Sequence, residues 1–439
     1  MNNFVNSAVQ SLKSHIDSLL KYNSSMATPD QINKFLIDTV DKYLSTVGVA
    51  IYRDKDITSH IVKRYSKVYR RIKSKAYLKG IETTIDSGGY QIQNGFVNKK
   101  SVYNFIDIFY KELIPELKDE FDYIFSLDIA PGIDLSIYDD EAELEKMLRL
   151  SYNHILNIDK DYINKCIYIH HFRTPELNRV YSRVLNDIGY QSNIQNFGTG
   201  GVTESNKTFT SPIVQYCLPL IPIISYLKSK NIKSSRFHVL GVGGYKDIII
   251  HKLMERHVKE IHDIDLKITY DSASLFKSLA VSRFTYYVDH TKRSYHKMFF
   301  KSNDLDLVFK PTSKTVKELL ISECNDIIVP YGMSPLTNSF FTGNKILENV
   351  IYTYGFFHML NMYKLIDTWC DEFLDEAYPL IKNDAHIFVQ ELDQFITNLN
   401  GHKRTRSTFN RSTSIFNSLE MVKELDMEFY NYSINNLIT

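Results

Sequence analysis

Short apolar runs alternate with amphipathic stretches along most of the chain. The runs are Ile81–Ile85, Tyr123–Leu127, Cys166–Ile169, Ser192–Phe197, Phe237–Leu240 and Leu266–Tyr270. Each stops at a polar or glycine-rich stretch, and helical periodicity follows at Glu141–Leu156, Pro175–Ile188 and Asp247–Lys259. The distance between runs is that of a strand, a helix and their loops. Such alternation predicts a parallel sheet. The number of units favours an α/β fold of the (β/α)8 TIM-barrel type, with N- and C-terminal helical additions. A doubly wound open sheet is the alternative.

The flanks read differently. Residues 1–45 predict two amphipathic helices, about Phe4–Tyr22 and Thr28–Ser45, as an N-terminal extension. In the second, Thr28-Pro29-Asp30-Gln31 has the form of an N-cap with proline at the first helical position. Val47–Tyr52 is a short strand candidate. The barrel is expected over residues 46–310 and a mainly helical C-terminal region over 311–439. In that region Leu305–Lys310 and Asp326–Pro330 are strand candidates. Ile346–Thr368, Asp384–Asn398 and Ser418–Tyr432 read as helices, and His402 to Arg411 is basic and rich in Ser and Thr.

The strand ends carry the chemistry. Of 17 glycines, nine fall there: Gly88, Gly89, Gly132, Gly198, Gly200, Gly201, Gly241, Gly243 and Gly244. A ligand brought against the backbone accounts for that clustering. Three runs end in aspartate, at Asp86, Asp128 and Asp271. In a barrel, groups at the carboxyl ends of strands converge on one mouth. Converging carboxylates must differ in protonation, so one can be a nucleophile and another an acid or base. Each aspartate can equally begin a turn or cap the next helix. A carboxylate pair on a barrel also suits a glycosidase, but glycosidases favour Trp for sugar stacking and this chain has Trp 1.

Composition narrows the class. The formal charge is +1 over 439 residues, with 44% hydrophobic and 23% charged residues, ordinary for a globular protein. The apolar run Tyr216–Leu227 contains prolines and is too short to span a bilayer, so no membrane partner is expected. Cys166, Cys217, Cys324 and Cys370 are far apart and form no CxxC pair, which fits a reducing compartment: cytoplasm, or a host's cytoplasm if a phage encodes the chain. Residues 60–79 hold eight Lys or Arg and no acid, with tyrosines interleaved. That face, with Lys63, Lys67, Arg70 and Arg71, can neutralise phosphates while aromatic rings stack bases. It can also be a plain solvated helix.

Asp86-Ser87-Gly88-Gly89-Tyr90-Gln91 resembles the active-site motif of the tRNA-guanine transglycosylases. The remaining stations follow in that family's order. Phe125-Ser126-Leu127-Asp128 resembles its base-recognising aspartate. Glu176–Arg179 and Asn186–Tyr190 resemble the helix before its guanine-binding glycine loop, and Gly200-Gly201-Val202 resembles that loop. His238–Gly243 is similar to the Met-Gly-Val-Gly stretch, and Tyr270-Asp271 to the nucleophile. The resemblance covers roughly residues 80–280. His171-Phe172-Arg173 stands where the family has Gln-Gly-Gly, and Ser272-Ala273-Ser274-Leu275 where it has Leu-Pro-Thr-Arg. The cysteine-rich zinc site is missing: Cys324 and His358 lie in the region, but two ligands do not make such a site.

The resemblance implies exchange of guanine for a 7-deazaguanine base in nucleic acid. It favours the branch acting on DNA, with tRNA or a non-catalytic nucleic-acid-binding subunit as alternatives. It implies Asp271 as nucleophile and Asp86 as acid–base. Ser87, Tyr90, Asp128, His171, Gly200, Gly201, Val202 and Leu240 would bind the base, with His171 taking the glutamine's donor role. No cofactor or metal is expected. An oligomer or accessory protein is left open.

Overall fold

The computed structural model describes residues 3–5, 16–21, 25–39, 42–46, 58–89, 99–129, 141–158, 160–171, 194–200, 220–241, 262–271, 284–289, 294–299 and 305–341. It also describes 180–181, 183–185, 187, 251–252, 254–256, 258–259, 353, 355, 357–361 and 364. The strand candidate Val47–Tyr52, the helices at 384–398 and 418–432, and the basic 402–411 stretch lie outside them.

The fold is mixed α/β, around a curled parallel sheet. Its strands are β1 (Asn3–Val5), β2 (Lys42–Thr46), β3 (Glu82–Asp86), β4 (Tyr123–Phe125), β5 (Cys166–Ile169), β6 (Asn196–Thr199), β7 (Ser234–Val239) and β8 (Asp265–Asp271). They pair in chain order, all parallel. β1 also pairs with β8, Phe4 opposite Asp271.

One ion pair reveals which side chains face the concave interior. Arg236 on β7 donates to Glu82 on β3 at 2.7 Å and lies 3.9 Å from the Tyr123 ring centroid on β4. β3 and β7 are not neighbours, so Glu82 and Arg236 reach each other across the inside. Side chains alternate along a strand. Thr84 and Asp86 therefore share Glu82's face, Phe125 shares Tyr123's, and His238 shares Arg236's. A small apolar cluster of Phe125, Ile167 and Ile169 fills the interior above the ion pair. Ile85, Ile124, Cys166, Tyr168, Phe197, Phe237, Val239, Ile268 and Tyr270 belong to the larger core, shared with the helices.

Described helices include α1 (Pro29–Thr39), α2 (Ser59–Lys73), α3 (Lys99–Ile108), α4 (Ile114–Leu117), α5 (Glu141–Asn157), α6 (Lys160–Lys165), α7 (Leu220–Ser229) and α8 (Val316–Ile328). α5 shows why they dock. Leu144, Met147, Leu148, Ser151, Tyr152 and Ile155 recur at three- and four-residue steps and are buried. Tyr152 meets Tyr168 of β5 at 4.4 Å between ring centroids. Between α3 and α4 a π turn, Phe109–Leu113, precedes Pro115, which has no N–H to donate back along the helix.

The N-terminal expectation needs correction. Thr28 and Gln31 do form a reciprocal cap, but the helix ends at Thr39. Residues 42–45, expected as helix, lie in β2, and Phe4, expected as helix, is in β1. A boundary at residue 45 thus cuts through a strand of the sheet. Lys42-Tyr43-Leu44-Ser45-Thr46 continues the helical spacing of α1, and its pairing with β3 overrides that pattern. The N-terminal helix also packs on the C-terminal region. Phe35 of α1 packs on Phe357 at 4.6 Å between centroids, and Gln31 donates to the Gly332 carbonyl at 2.5 Å.

Two further corrections concern the C-terminal side. Leu305–Lys310 is turn with a single bridge, Val308 to Thr315, and not a strand. Asp326–Ile328 ends α8, whose start is a capping box of Thr315 and Glu318. Val329–Tyr331 continues as a 3-10 turn. An antiparallel hairpin, β9 (Phe284–Asp289) with β10 (Ser294–Phe299), was not anticipated. Its connection, His290-Thr291-Lys292-Arg293, lacks the Asn-Gly type of signal that marks tight hairpins.

Two buried histidines make the fold acid-sensitive. Burial, with His238 and Lys252 nearby, depresses His251 to about 3. Burial and then Lys228 depress His262 to about 4. In the unfolded chain both bind a proton near 6.5. The unfolded state therefore takes up protons first, and stability is lost as pH falls below about 6.5. The thermal midpoint is expected to drop between pH 7 and pH 5, and less steeply in His251→Gln. Equal slopes in the two proteins would contradict this.

Candidate active site

The carboxyl end of the sheet gathers the acids. Asp86 closes β3, Asp128 follows β4, and Asp271 closes β8. Asp86 is half-buried, and its Oδ1 accepts the Gly88 N–H at 3.2 Å. The turn that allows this has Gly88 at φ +81°, a conformation few side chains tolerate.

Asp128 is held from every side. Its own N–H donates to Ser87 Oγ at 2.8 Å, and the preceding Leu127 N–H donates to Tyr110 Oη at 2.8 Å. Tyr110 sits in the π turn. Burial keeps its hydroxyl protonated, and besides accepting from Leu127 it shares a hydrogen bond with Ser151, 2.7 Å away. Ser126 Oγ accepts the Ile169 N–H at 3.0 Å, and Tyr181 donates to the Ile129 carbonyl at 2.5 Å. Four side chains thus fix residues 126–129.

Two glycines leave room for the Asp128 carboxylate. A Cβ on Gly89 would lie 2.4 Å from Cβ, Cγ and Oδ2 of Asp128. A Cβ on Gly200 would lie 2.8 Å from His171 Cε1 and 3.3 Å from both Asp128 Oδ2 and Leu240 Cδ1. Both glycines are therefore needed where they stand. Asp128, His171, Gly89, Gly200 and Leu240 form one cluster.

His171 corrects an expectation. Its Nδ1 is 3.1 Å from the Gly200 carbonyl, and its Nε2 is 2.5 Å from Asp128 Oδ1. A carbonyl only accepts, so Nδ1 carries a hydrogen. Nε2 is taken up by the contact with Asp128. Both ring nitrogens are thus engaged inside the protein, and the ring, buried at 0% exposure, has no N–H left for a base. In place of a glutamine's donor role, His171 ties Asp128 to the end of β6. Ser87 is likewise turned to Asp128 and wholly buried.

The second acid has its own histidine. Asp271, 2% exposed, accepts at Oδ1 from the Gly241 N–H at 2.9 Å and faces His238 Nε2 at 3.2 Å. His238 Nδ1 is 2.9 Å from Thr269 Oγ1. Gly241 has φ +78°, which turns its N–H back to the carboxylate. The His238 ring lies 4.8 Å from Phe125 of the interior cluster between centroids. His238 was not singled out in the sequence as a site residue. A signal was present: period two from Asp271 and from Arg236 puts it on the inner face of β7.

The basic helix α2 behaves differently from expectation. Tyr65, Tyr69 and Tyr77 are buried, with Tyr69 donating to the Glu120 carbonyl at 2.8 Å, so none can stack a base. Tyr65 and Tyr69 follow the apolar stripe of α2 with Ile61, Val62 and Ile72, and Tyr77 lies in the 3-10 turn after the helix. Arg70 is taken up by Glu116 and Glu120. Lys63, Lys67 and Arg71 are exposed. α2 crosses between parallel strands and so runs opposite to them. Its first turns, with Lys63, therefore point toward the sheet's carboxyl end, and Arg70 and Arg71 are about two turns further along. Tyr90, Gly201, Val202, Phe172, Arg173 and residues 272–275 lie outside the described residues.

Among the described residues no group of three or more His, Cys, Asp or Glu is placed to hold a metal. His358 bonds Thr285 through Nδ1 at 2.9 Å, and its Nε2 is 3.7 Å from Glu323. Among the described residues no helix is long and apolar enough to cross a membrane. No family model and no curated protein matches this chain.

The clamp on Asp128 gives a stability test. Ser87→Ala strips the buried Asp128 N–H of its acceptor, which costs about 1–3 kcal/mol. Gly89→Ala should cost more, because Asp128 must move. Urea unfolding would measure both, and an unfolding free energy unchanged in Ser87→Ala would contradict the clamp.

Proposed function

We propose that this protein is a nucleic-acid guanine transglycosylase. It exchanges guanine for a 7-deazaguanine base, in DNA by preference, through a covalent aspartyl intermediate. The single observation that carries the reading is the arrangement of three carboxylates at the carboxyl end of one parallel sheet. Two of them, Asp128 and Asp271, are buried and each is fixed by a histidine. Burying two carboxylates at one end of a sheet costs stability that packing alone does not require. The seven pairings in chain order and the contact of β1 with β8 support a (β/α)8 barrel, a fold whose reaction sites lie at this end.

In this reading Asp271 attacks the anomeric carbon and the bond to guanine N9 breaks. Asp86 delivers a proton to the leaving guanine. An ester joins Asp271 to the sugar. The incoming base then gives its N9 proton to Asp86, attacks the same carbon, and releases Asp271 as carboxylate. One glycosidic bond replaces another, so no energy source is required. Asp128 accepts hydrogen bonds from N–H groups of the base, positioned by Ser87 and His171. Gly200, with Gly201 and Val202, meets the other edge. Tyr90 stacks on one face, worth about 1–3 kcal/mol, and Leu240 covers the other. A base in a duplex must first be flipped out, at a cost of a few kcal/mol. Lys63 and Lys67 are the favoured phosphate contacts, given their exposure and position on α2.

The test is exchange of tritiated guanine into genomic DNA or into unfractionated tRNA. Label is expected in DNA, and none with Asp86→Asn. Label in tRNA alone would make the protein a tRNA enzyme. Binding of either nucleic acid with no label in it would make it a non-catalytic binding subunit.

A further inference from the structure

We infer that His238 is a positioning residue that sets how fast the covalent intermediate breaks down. The inference rests on the transglycosylase reading of Asp271. The observation behind it is the convergence of His238 Nε2 and the Gly241 N–H on the same oxygen, Oδ1 of Asp271. When Asp271 is ionised, Nε2 must carry the hydrogen, and the Thr269 hydroxyl then donates to Nδ1. His238 is wholly buried between Phe125 and Asp271, so its ring is held in that orientation.

The energetics follow from where charge resides. Oδ1, doubly held, is the oxygen left as ester carbonyl after the attack. In the free enzyme it belongs to a carboxylate, and in the intermediate to a neutral ester. Hydrogen bonds to a charged acceptor are roughly twice as strong as those to a neutral one. The two donors therefore stabilise the free carboxylate more than the ester. As the incoming base displaces Asp271, negative charge returns to the carboxylate, and fixed donors already aimed at it lower that barrier. They restrain the first attack and assist the second. A group that merely packs would affect both steps alike.

The experiment uses the full chain with end-labelled, guanine-containing DNA and no added base. The covalent adduct is read on a denaturing gel and then chased with excess guanine. In His238→Phe the adduct is expected at or above its wild-type level, with chase about tenfold to a hundredfold slower. His238→Gln, which restores an N–H, should recover most of the chase rate. If His238→Phe does not fold, Thr269→Val, which frees the ring, should slow the chase in the same direction. Adduct level and chase rate falling together, or both unchanged, would overturn the inference while leaving the transglycosylase reading intact. No adduct with the wild-type protein would overturn that reading and the inference with it.

Discussion

Carboxylates inside a curled sheet cannot stand alone. Taking an ionised group out of water costs far more than one hydrogen bond returns, so a buried charge persists only with fitted partners. Asp128 and Asp271 meet that condition in parallel ways. Each is followed to its place by a histidine from a neighbouring strand: His171 at the end of β5 and His238 on β7. Each also has a glycine close by that supplies backbone or space, Gly200 for the first and Gly241 for the second. Among the described residues, Phe125, Ile167 and Ile169 form an apolar filling beside these polar pairs, with Tyr123 and Leu240 packed against it.

Rigidity around Asp128 is built from far away. Tyr110 comes from a π turn, Tyr181 from the helical stretch around residues 180–187, Ser87 from the end of β3, and Ser126 links to β5. A carboxylate positioned by so many elements keeps its direction when a ligand arrives, which is the requirement for recognising one edge of a flat base. Asp86 differs in being half-buried, with an Asx turn to Gly88. That contrast suits a group that must exchange a proton with a ligand.

Much of this was legible in the residues. Cys166–Ile169 is a strand with the expected bounds, and the runs ending at Asp86 and Asp271 are strands that end there. Fully buried parallel strands are continuous apolar runs, which is why they stand out. β1 and β2 did not, because Asn3–Val5 is short and Lys42–Thr46 is as polar as it is apolar. The tyrosines of α2 were misplaced for a different reason. A ring with a polar tip suits either a base or a core, and Tyr69 fills the core because its hydroxyl finds the Glu120 carbonyl. His171 was located but its role was not, since only geometry reveals that a carbonyl and a carboxylate occupy both nitrogens.

The central claim is that Asp271 forms a bond to the sugar. The protein would be trapped with guanine-containing DNA, digested with nuclease and protease, and mapped by mass spectrometry. The account requires a nucleotide remnant on the peptide carrying Asp271, at that residue. A remnant on Asp86 or Asp128, or on a peptide outside the sheet's carboxyl end, would contradict it.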